Sequence, residues 1–339
     1  MYLLLRNLKR LALPSSCRFI SNYVSRMRHL FDLKENDEAC RKALSSGSFL
    51  LFHSLSPLMQ KTENKYTVPF VTASELYRIL RKLGQKEKYL EESVLLGCTD
   101  SYLAQFALDL GIMEKAKAES LLQGTFVDLR KAFLLLDGKN AQMLSQAQAL
   151  LRWHNTHLYC SKTGHPMQKN VSGSRRICSS NGTIYYPQMS PVIITLVSDG
   201  TRCLLARQEA FPSGMYSALA GFCDIGETVE QAVHREVAEE VGLEVSSSKY
   251  AASQHWPFPN SSLMIASHAM VQPGQIKITL NQFELEDARW FGAEELAEAL
   301  RRERMPSKKE MGTIPFWIPP PWTIAHQLIK EWTQQKQLC

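Results

Sequence analysis

Between Thr228 and Leu243, Val229, Val233, Val237 and Val241 recur every four residues among charged positions. Apolar residues at that spacing form one stripe of an amphipathic helix. Thr228 followed by Gln231 reads as a capping box, and Gly242 offers a left-handed stop, so the pattern predicts a helix over Val229–Val241. Around it the period changes. Pro191–Val197 and Arg202–Ala206 are β-rich runs joined by Asp199-Gly200, a hairpin signal, and Leu263–Val271 and Ile276–Leu280 predict strands flanking Pro273-Gly274. Helical patterns return over Ala293–Glu303 and Thr323–Gln335.

Upstream, from Asp32 to Leu151, the pattern is mixed. Short apolar runs at Ser48–Leu55 and Ser93–Leu96 alternate with helical stretches at Ala73–Leu83 and Ala141–Trp153, and none carries a chemical motif. Trp153 to Asn181 is short, polar and bears Cys and His, as a connector or small ribbon would. No internal repeat is visible, which argues against a solenoid.

Composition narrows the class. The 339 residues, 45% hydrophobic and 21% charged, suit a two-domain globular chain and exclude disordered, collagen-like and coiled-coil classes. Eight cysteines without a repeating spacing make no disulfide framework, so reduced thiols are expected. The charge-free stretches Ile177–Ser198 and Tyr250–Ile276 are broken by prolines, so no membrane span is expected.

The net charge of +6 is local. Arg6, Lys9, Arg10, Arg18, Arg26 and Arg28 lie within residues 1–31, which contain no acid; the remainder holds 33 basic and 33 acidic residues. Bulk charge therefore gives no argument for a nucleic-acid partner. The basic, leucine- and serine-rich, acid-free start has the composition of a mitochondrial transit peptide, placed at residues 1–28, and predicts a mitochondrial location.

The predicted helix also concentrates chemistry. Gly221–Leu243 holds six acids, Asp224, Glu227, Glu230, Glu236, Glu239 and Glu240, against one Arg. Glu236 and Glu240 are i,i+4 neighbours with Glu239 beside them, and like charges at that spacing repel. A hard divalent cation, Mg²⁺ or Mn²⁺, offsets such repulsion through oxygen ligands. Arg235 is placed to pair with Glu227, and Gly221 and Gly226 allow the preceding loop to approach the helix.

Gly221, Glu227, Arg235, Glu236, Val237, Glu239, Glu240, Gly242 and Leu243 fit the pattern G-x5-E-x7-R-E-U-x-E-E-x-G-U at every defined position, where U is a bulky apolar residue. The segment thereby resembles the signature of the Nudix hydrolases. The resemblance implies an α/β/α sandwich with a mixed sheet, a loop-helix-loop that binds Mg²⁺ or Mn²⁺, and hydrolysis of a nucleoside diphosphate linked to another moiety. It further implies Glu236 and Glu240 as metal ligands, Glu239 as ligand or base, and the Ala220 carbonyl as a completing ligand.

Further on, Ser253, Gln254, His255, Trp256, Pro257, Phe258, Pro259, Asn260 and Ser261 resemble the S-Q-P-W-P-F-P-x-S array of the NADH diphosphatase subfamily, with His255 in place of a proline. Aromatic residues held between prolines suit stacking on a nicotinamide or adenine ring. The similarity extends to Tyr186 within Tyr185-Tyr186-Pro187, to Ala325 at the start of the last helical pattern, and to Glu284, which sits where the subfamily has a distant metal ligand. It implies a degenerate Nudix-like domain at 32–150, a zinc-ribbon connector at 153–187 and a catalytic domain at 188–335.

Subfamily members often carry a four-Cys zinc ribbon, whereas this chain has Cys160-x2-Thr163 and Cys178-x2-Asn181. Structural zinc takes four N or S donors, which Thr and Asn do not supply, so a ribbon without zinc is expected. The function expected is metal-dependent hydrolysis of the pyrophosphate of NADH or NADPH to AMP, or its 2′-phosphorylated form, and reduced nicotinamide mononucleotide. Two alternatives stay open: removal of an NAD cap from RNA, and a catalytically silent dinucleotide-binding Nudix protein. A homodimer is suggested by the resemblance alone.

Overall fold

The structure, a computed structural model, describes residues 16–62, 65–133, 136, 138–302 and 315–337. Residues 1–15 of the expected transit peptide lie outside the described residues. The chain divides into two units, one of Met1–Val127 with Leu150–Pro187, the other of Asp128–Ala149 with Gln188–Cys339. The segment 128–149, expected upstream with the N-terminal domain, thus clusters with the C-terminal unit, and the ribbon clusters with the N-terminal one.

In the C-terminal unit, six strands form a mixed sheet. Ser190–Ser198 is central, parallel to Ser262–Val271 on one side and antiparallel to Arg202–Arg207 and Leu219–Phe222 on the other. Val245–Trp256 and Asp287–Gly292 complete its edges. Side-chain alternation along the strands creates two cores. Ile193, Val197, Leu204 and Leu219 pack with Val233, Val237 and Val241 of the helix Val229–Val241. Ile194, Leu196, Leu205 and Phe291 pack instead with Leu328, Ile329 and Trp332 of the helix Ile324–Gln337. Helices on both faces make the α/β/α sandwich implied by the signature.

The predicted helix spans Val229–Val241, with both halves of the Thr228/Gln231 capping box formed and Gly242 left-handed at φ 67°. Ile276–Leu280 is the exception among the predicted strands and is irregular. Its backbone serves other partners: Thr279 N–H donates to the Val241 carbonyl at 2.9 Å, and the Ile276 carbonyl accepts from the Trp290 indole at 2.9 Å. Ile278 and Leu280 add their side chains to the core beneath the helix. An apolar run of that length reads alike whether it pairs in a sheet or caps a helix.

The N-terminal unit is built on Ser48–His53, parallel to Ala104–Asp109 and antiparallel to Ser56–Thr62. Helix Ser16–Glu35 belongs to it, with Arg26 paired to Asp100 and the Ser25 and Tyr102 hydroxyls 2.6 Å apart. The ribbon is a three-stranded sheet joined to the rest of the unit by polar contacts. The half-buried Lys169 side chain donates its ammonium N–H to the Glu91 carbonyl at 2.6 Å and the Ser93 carbonyl at 3.0 Å, and Leu95 N–H donates to the Ser172 carbonyl at 2.8 Å. No helix among the described residues is long and apolar enough to cross a membrane.

Two matching turns form the tip of the ribbon. In one, Gly164 N–H donates to the Cys160 carbonyl and Cys160 N–H to the His165 carbonyl; in the other, Gly182 serves Cys178 and Cys178 serves Thr183 in the same way. Both glycines are left-handed, at φ 68° and 70°. Between the turns, Thr163 Oγ1 lies 3.5 Å from Cys178 Sγ, Ser180 Oγ lies 3.2 Å from that sulfur, and the Tyr185 hydroxyl lies 3.2 Å from Cys160 Sγ. Hydroxyl contacts and the packing of Cys160, Met167 and Cys178 hold the tip together. A donor set of two thiols, a hydroxyl and an amide does not fit tetrahedral zinc.

Candidate active site

On the helix Val229–Val241, the valine stripe faces the sheet and draws the adjacent carboxylates inward. Glu236 and Glu240 are only 7% and 2% exposed. One Glu240 carboxylate oxygen is buried without a hydrogen-bond partner. Burial first, then the nearby Glu236, Glu284 and Glu239, pushes the Glu240 carboxyl up to about 8. Glu236 is also raised, chiefly by burial, although Arg235 opposes the shift.

Carboxylate oxygens of Glu236, Glu240 and Glu284 lie within 4.8 Å of one another. Glu284 arrives from a different element. Its loop is tied to the end of the helix, where Asn281 N–H donates to the Glu240 carbonyl at 3.0 Å and Glu284 N–H donates to the Asn281 carbonyl at 3.2 Å. A Cβ on Gly221 would overlap the Glu236 carboxyl, so the glycine leaves the space this group occupies. Three crowded carboxylates, one with an orphaned oxygen, are an all-oxygen donor set that fits a hard divalent cation.

Arg235 organises the remaining acids. Its guanidinium donates to both Glu227 oxygens at 2.7 and 3.0 Å, to Glu236 and Glu239 at 2.9 Å each, and to the Phe222 carbonyl at 2.7 Å. These contacts, Glu227 first, raise its own pKa further and lower that of Glu227. The fork joins the glycine loop to the helix, as the i,i+8 spacing of Glu227 and Arg235 predicts. Glu239 lies outside the three-carboxylate group, with its side chain 52% exposed.

Beside Glu240 opens a cavity of about 590 Å³, whose lining includes Ala220, Gly221, Trp256, Phe258, Pro259 and Trp322. Its size suits a small ligand. The Trp256 and Trp322 rings stack with centroids 6.1 Å apart, and Trp256 meets Phe258 edge-on at 5.7 Å. Gln254 aligns them: its amide donates to the Trp322 carbonyl at 2.9 Å and accepts from Ile324 N–H at 2.8 Å.

Profiles of three families match the chain in tandem. They are a NADH pyrophosphatase-like rudimentary NUDIX domain over residues 46–153, a NADH pyrophosphatase zinc ribbon domain over 155–186, and a NUDIX domain over 187–311. The chain is 56% identical, over 95% of its length and 94% of the relative's, to the human (Homo sapiens) protein named NAD(P)H pyrophosphatase NUDT13, mitochondrial. The chain is a Nudix hydrolase. The mouse (Mus musculus) protein of the same name is 54% identical over 94% of this chain and 93% of its own. A human protein named NAD-capped RNA hydrolase NUDT12 is 42% identical over 59% of this chain and 43% of its own. The mitochondrial names of the first two agree with the location expected from the acid-free N-terminal segment.

Within this Nudix hydrolase the other expected residues are distributed as follows. Ala220 pairs with Ile194 in the sheet, and Ala325 is buried in the cavity wall. His255, standing for the usual proline, places its ring nitrogen 3.0 Å from the Ser261 hydroxyl and so ties the two ends of the array's loop. Pro257 is buried, Asn260 is exposed, and neither lines the cavity. Tyr186 belongs to the N-terminal unit and is exposed. Trp322, Phe133 and Arg130 also line the cavity and were not anticipated. Trp322 lies three residues before the expected Ala325; for Phe133 and Arg130 the sequence carries no signal.

Proposed function

We propose that this Nudix hydrolase cleaves the pyrophosphate of NADH and NADPH with Mg²⁺ or Mn²⁺, yielding reduced nicotinamide mononucleotide and AMP or 2′-phospho-AMP. The reading is carried by the orphaned, buried Glu240 oxygen within the Glu236, Glu240 and Glu284 group, next to a cavity walled with aromatic rings. It is supported by the names of the full-length relatives.

In this mechanism Glu236, Glu240 and Glu284 hold the cation, with the Ala220 carbonyl as a fourth candidate ligand. Bound there, a divalent cation neutralises phosphate oxygens and lowers the pKa of a coordinated water. Arg235 orients Glu227, Glu236 and Glu239 through its fork. Glu239, exposed on the same helix, accepts the proton of the attacking water. Trp256, Phe258, Trp322 and Pro259 shape the aromatic side of the cavity, against which one base packs. Tyr186 and Asn260 remain candidate substrate contacts through the resemblance, as does a homodimer, which light scattering on the purified chain would measure.

The test is chromatography of products after incubation with NADH and Mn²⁺. AMP from the wild type and none from Glu240→Gln supports the reading, while binding without turnover identifies a silent dinucleotide binder. NAD-capped RNA, the substrate class in the name of the human NUDT12 relative, is compared at matched salt. Faster turnover of capped RNA than of NADH would replace the first reading.

A further inference from the structure

The short helix Leu129–Phe133, from the segment 128–149 of the C-terminal unit, puts a third kind of contact into the aromatic wall. The Phe133 ring lies 4.9 Å from that of Trp322, 5.7 Å from Phe258 and 5.8 Å from Trp256, at the centre of the group. One turn earlier, the Arg130 guanidinium carbon sits 4.1 Å from the Phe258 ring centroid. Arg130 is exposed and makes no ion pair among the described residues. Among the described residues lining the cavity, two are charged: Glu240 in the carboxylate group, and Arg130 against the rings.

A guanidinium packed against a ring pairs none of its donors with a hydrogen-bond acceptor in that contact. Its N–H donors radiate in the plane of the group and remain available as a fork, the geometry that matches phosphate. Besides the Glu240 carboxyl, the cavity thus offers a cation at its aromatic wall. A base packed against this wall carries its ribose beside it, and a phosphate on that ribose would be a group that Arg130 can bind. NADH has none there. NADPH has one, on the adenosine 2′ oxygen, with close to two negative charges at neutral pH.

We propose that Arg130 recognises the 2′-phosphate of a phosphorylated dinucleotide whose adenine packs against the aromatic wall, and thereby sets the discrimination between NADPH and NADH. The proposal rests on the dinucleotide reading above for its substrate, and on the placement of Arg130 against Phe258 for its site. Phe133 acts as a positioning residue, seating the helix that carries Arg130.

The test begins with binding. Isothermal titration calorimetry of the full chain in Mg²⁺ compares 2′-phospho-AMP, its 3′-phospho isomer and AMP, none of which contains the scissile bond. The 2′ isomer is expected to bind about tenfold more tightly than AMP, a preference that Arg130→Ala removes and Arg130→Lys partly restores. Thermal melting of each variant checks the fold. Equal affinities in the wild type, or an Arg130→Ala variant that keeps the preference, overturns the proposal; tighter binding of the 3′ isomer overturns it in favour of a nucleic-acid extension. In kinetics, Arg130→Ala should lower kcat/KM for NADPH about tenfold more than for NADH, and equal losses overturn the proposal. If the binding preference holds and neither dinucleotide is cleaved, the hydrolysis reading fails while recognition by Arg130 stands.

Discussion

The backbone N–H of Asn281 donates to the carbonyl of Glu240 at 3.0 Å, so the residue that carries a buried carboxylate also anchors the loop that delivers Glu284. Glu240 therefore serves the site twice. Its side chain joins the oxygen cluster, and its main chain, left without an intrahelical partner near the helix end, fixes the incoming loop. Gly242 makes that approach possible: a Cβ there would meet Thr279 Cβ at 2.8 Å.

Removing the clustered oxygens one at a time should remove turnover. Glu236→Gln, Glu240→Gln and Glu284→Gln are each expected to lower kcat by roughly 10²-fold or more, since even outer-shell partners of metal ligands cost 10–100-fold. Gly221→Ala should do the same by driving its methyl into the Glu236 carboxyl. Steady-state kinetics in Mn²⁺ measures each, and wild-type rates in Glu240→Gln would refute the site.

Metal removal should expose the repulsion. The Glu240 carboxyl is raised from 4.5 to about 8, so the metal-free fold favours its protonated form. Its contribution is complete below pH 4.5 and is lost as pH rises through about 8. In chelator, the melting temperature should therefore drop across that window, with a shallower drop in Glu240→Gln. Added Mg²⁺ should restore the wild type and not the variant.

The ribbon makes an opposite prediction about zinc. Its two turns keep matching backbone geometry around Cys160 and Cys178, with Thr163 and Asn181 at the third position after each cysteine. Thr163→Cys combined with Asn181→Cys should bind one zinc per chain and raise the melting temperature, whereas tag-free wild type should contain none. Elemental analysis decides both halves, and stoichiometric zinc in the wild type would contradict the donor-set argument.

Acid should weaken the N-terminal unit through His154. Its ring donates to the Gly173 carbonyl at 2.8 Å and accepts from Arg176 Nε at 3.1 Å, and burial depresses its pKa from 6.5 to about 3. The stability this provides is present above pH 6.5 and lost as pH falls toward 3. His154→Gln should flatten the decline in stability between pH 6.5 and 5 while lowering stability at neutral pH by about 1–3 kcal/mol, the cost of an impaired buried hydrogen-bond pair. Chemical denaturation at stepped pH measures both effects.

Local pattern made the acidic helix legible. The valine spacing, the Thr228 and Gln231 cap and the Gly242 stop are interactions within a few residues, and the structure shows each of them. The Glu227–Arg235 pair is similarly local, because one loop and one helix bring its partners together. The strand expectation at Ile276–Leu280 went astray because those backbone groups bond to the helix end and to Trp290. Nothing in an apolar run states which partner its amides will find.

The sequence alone determined the fold class, the metal-suited acids of the helix and the loss of two ribbon thiols, since these depend on residue type at short spacing. Tertiary structure decided that Glu284 joins Glu236 and Glu240, that Gln254 holds Trp322 beside Trp256, and that Arg130 and Phe133, from more than a hundred residues upstream, complete the aromatic wall. Such contacts arise from burying two faces of one sheet and from satisfying the backbone at helix ends. Both are properties of the assembled chain, and no short window of sequence contains them.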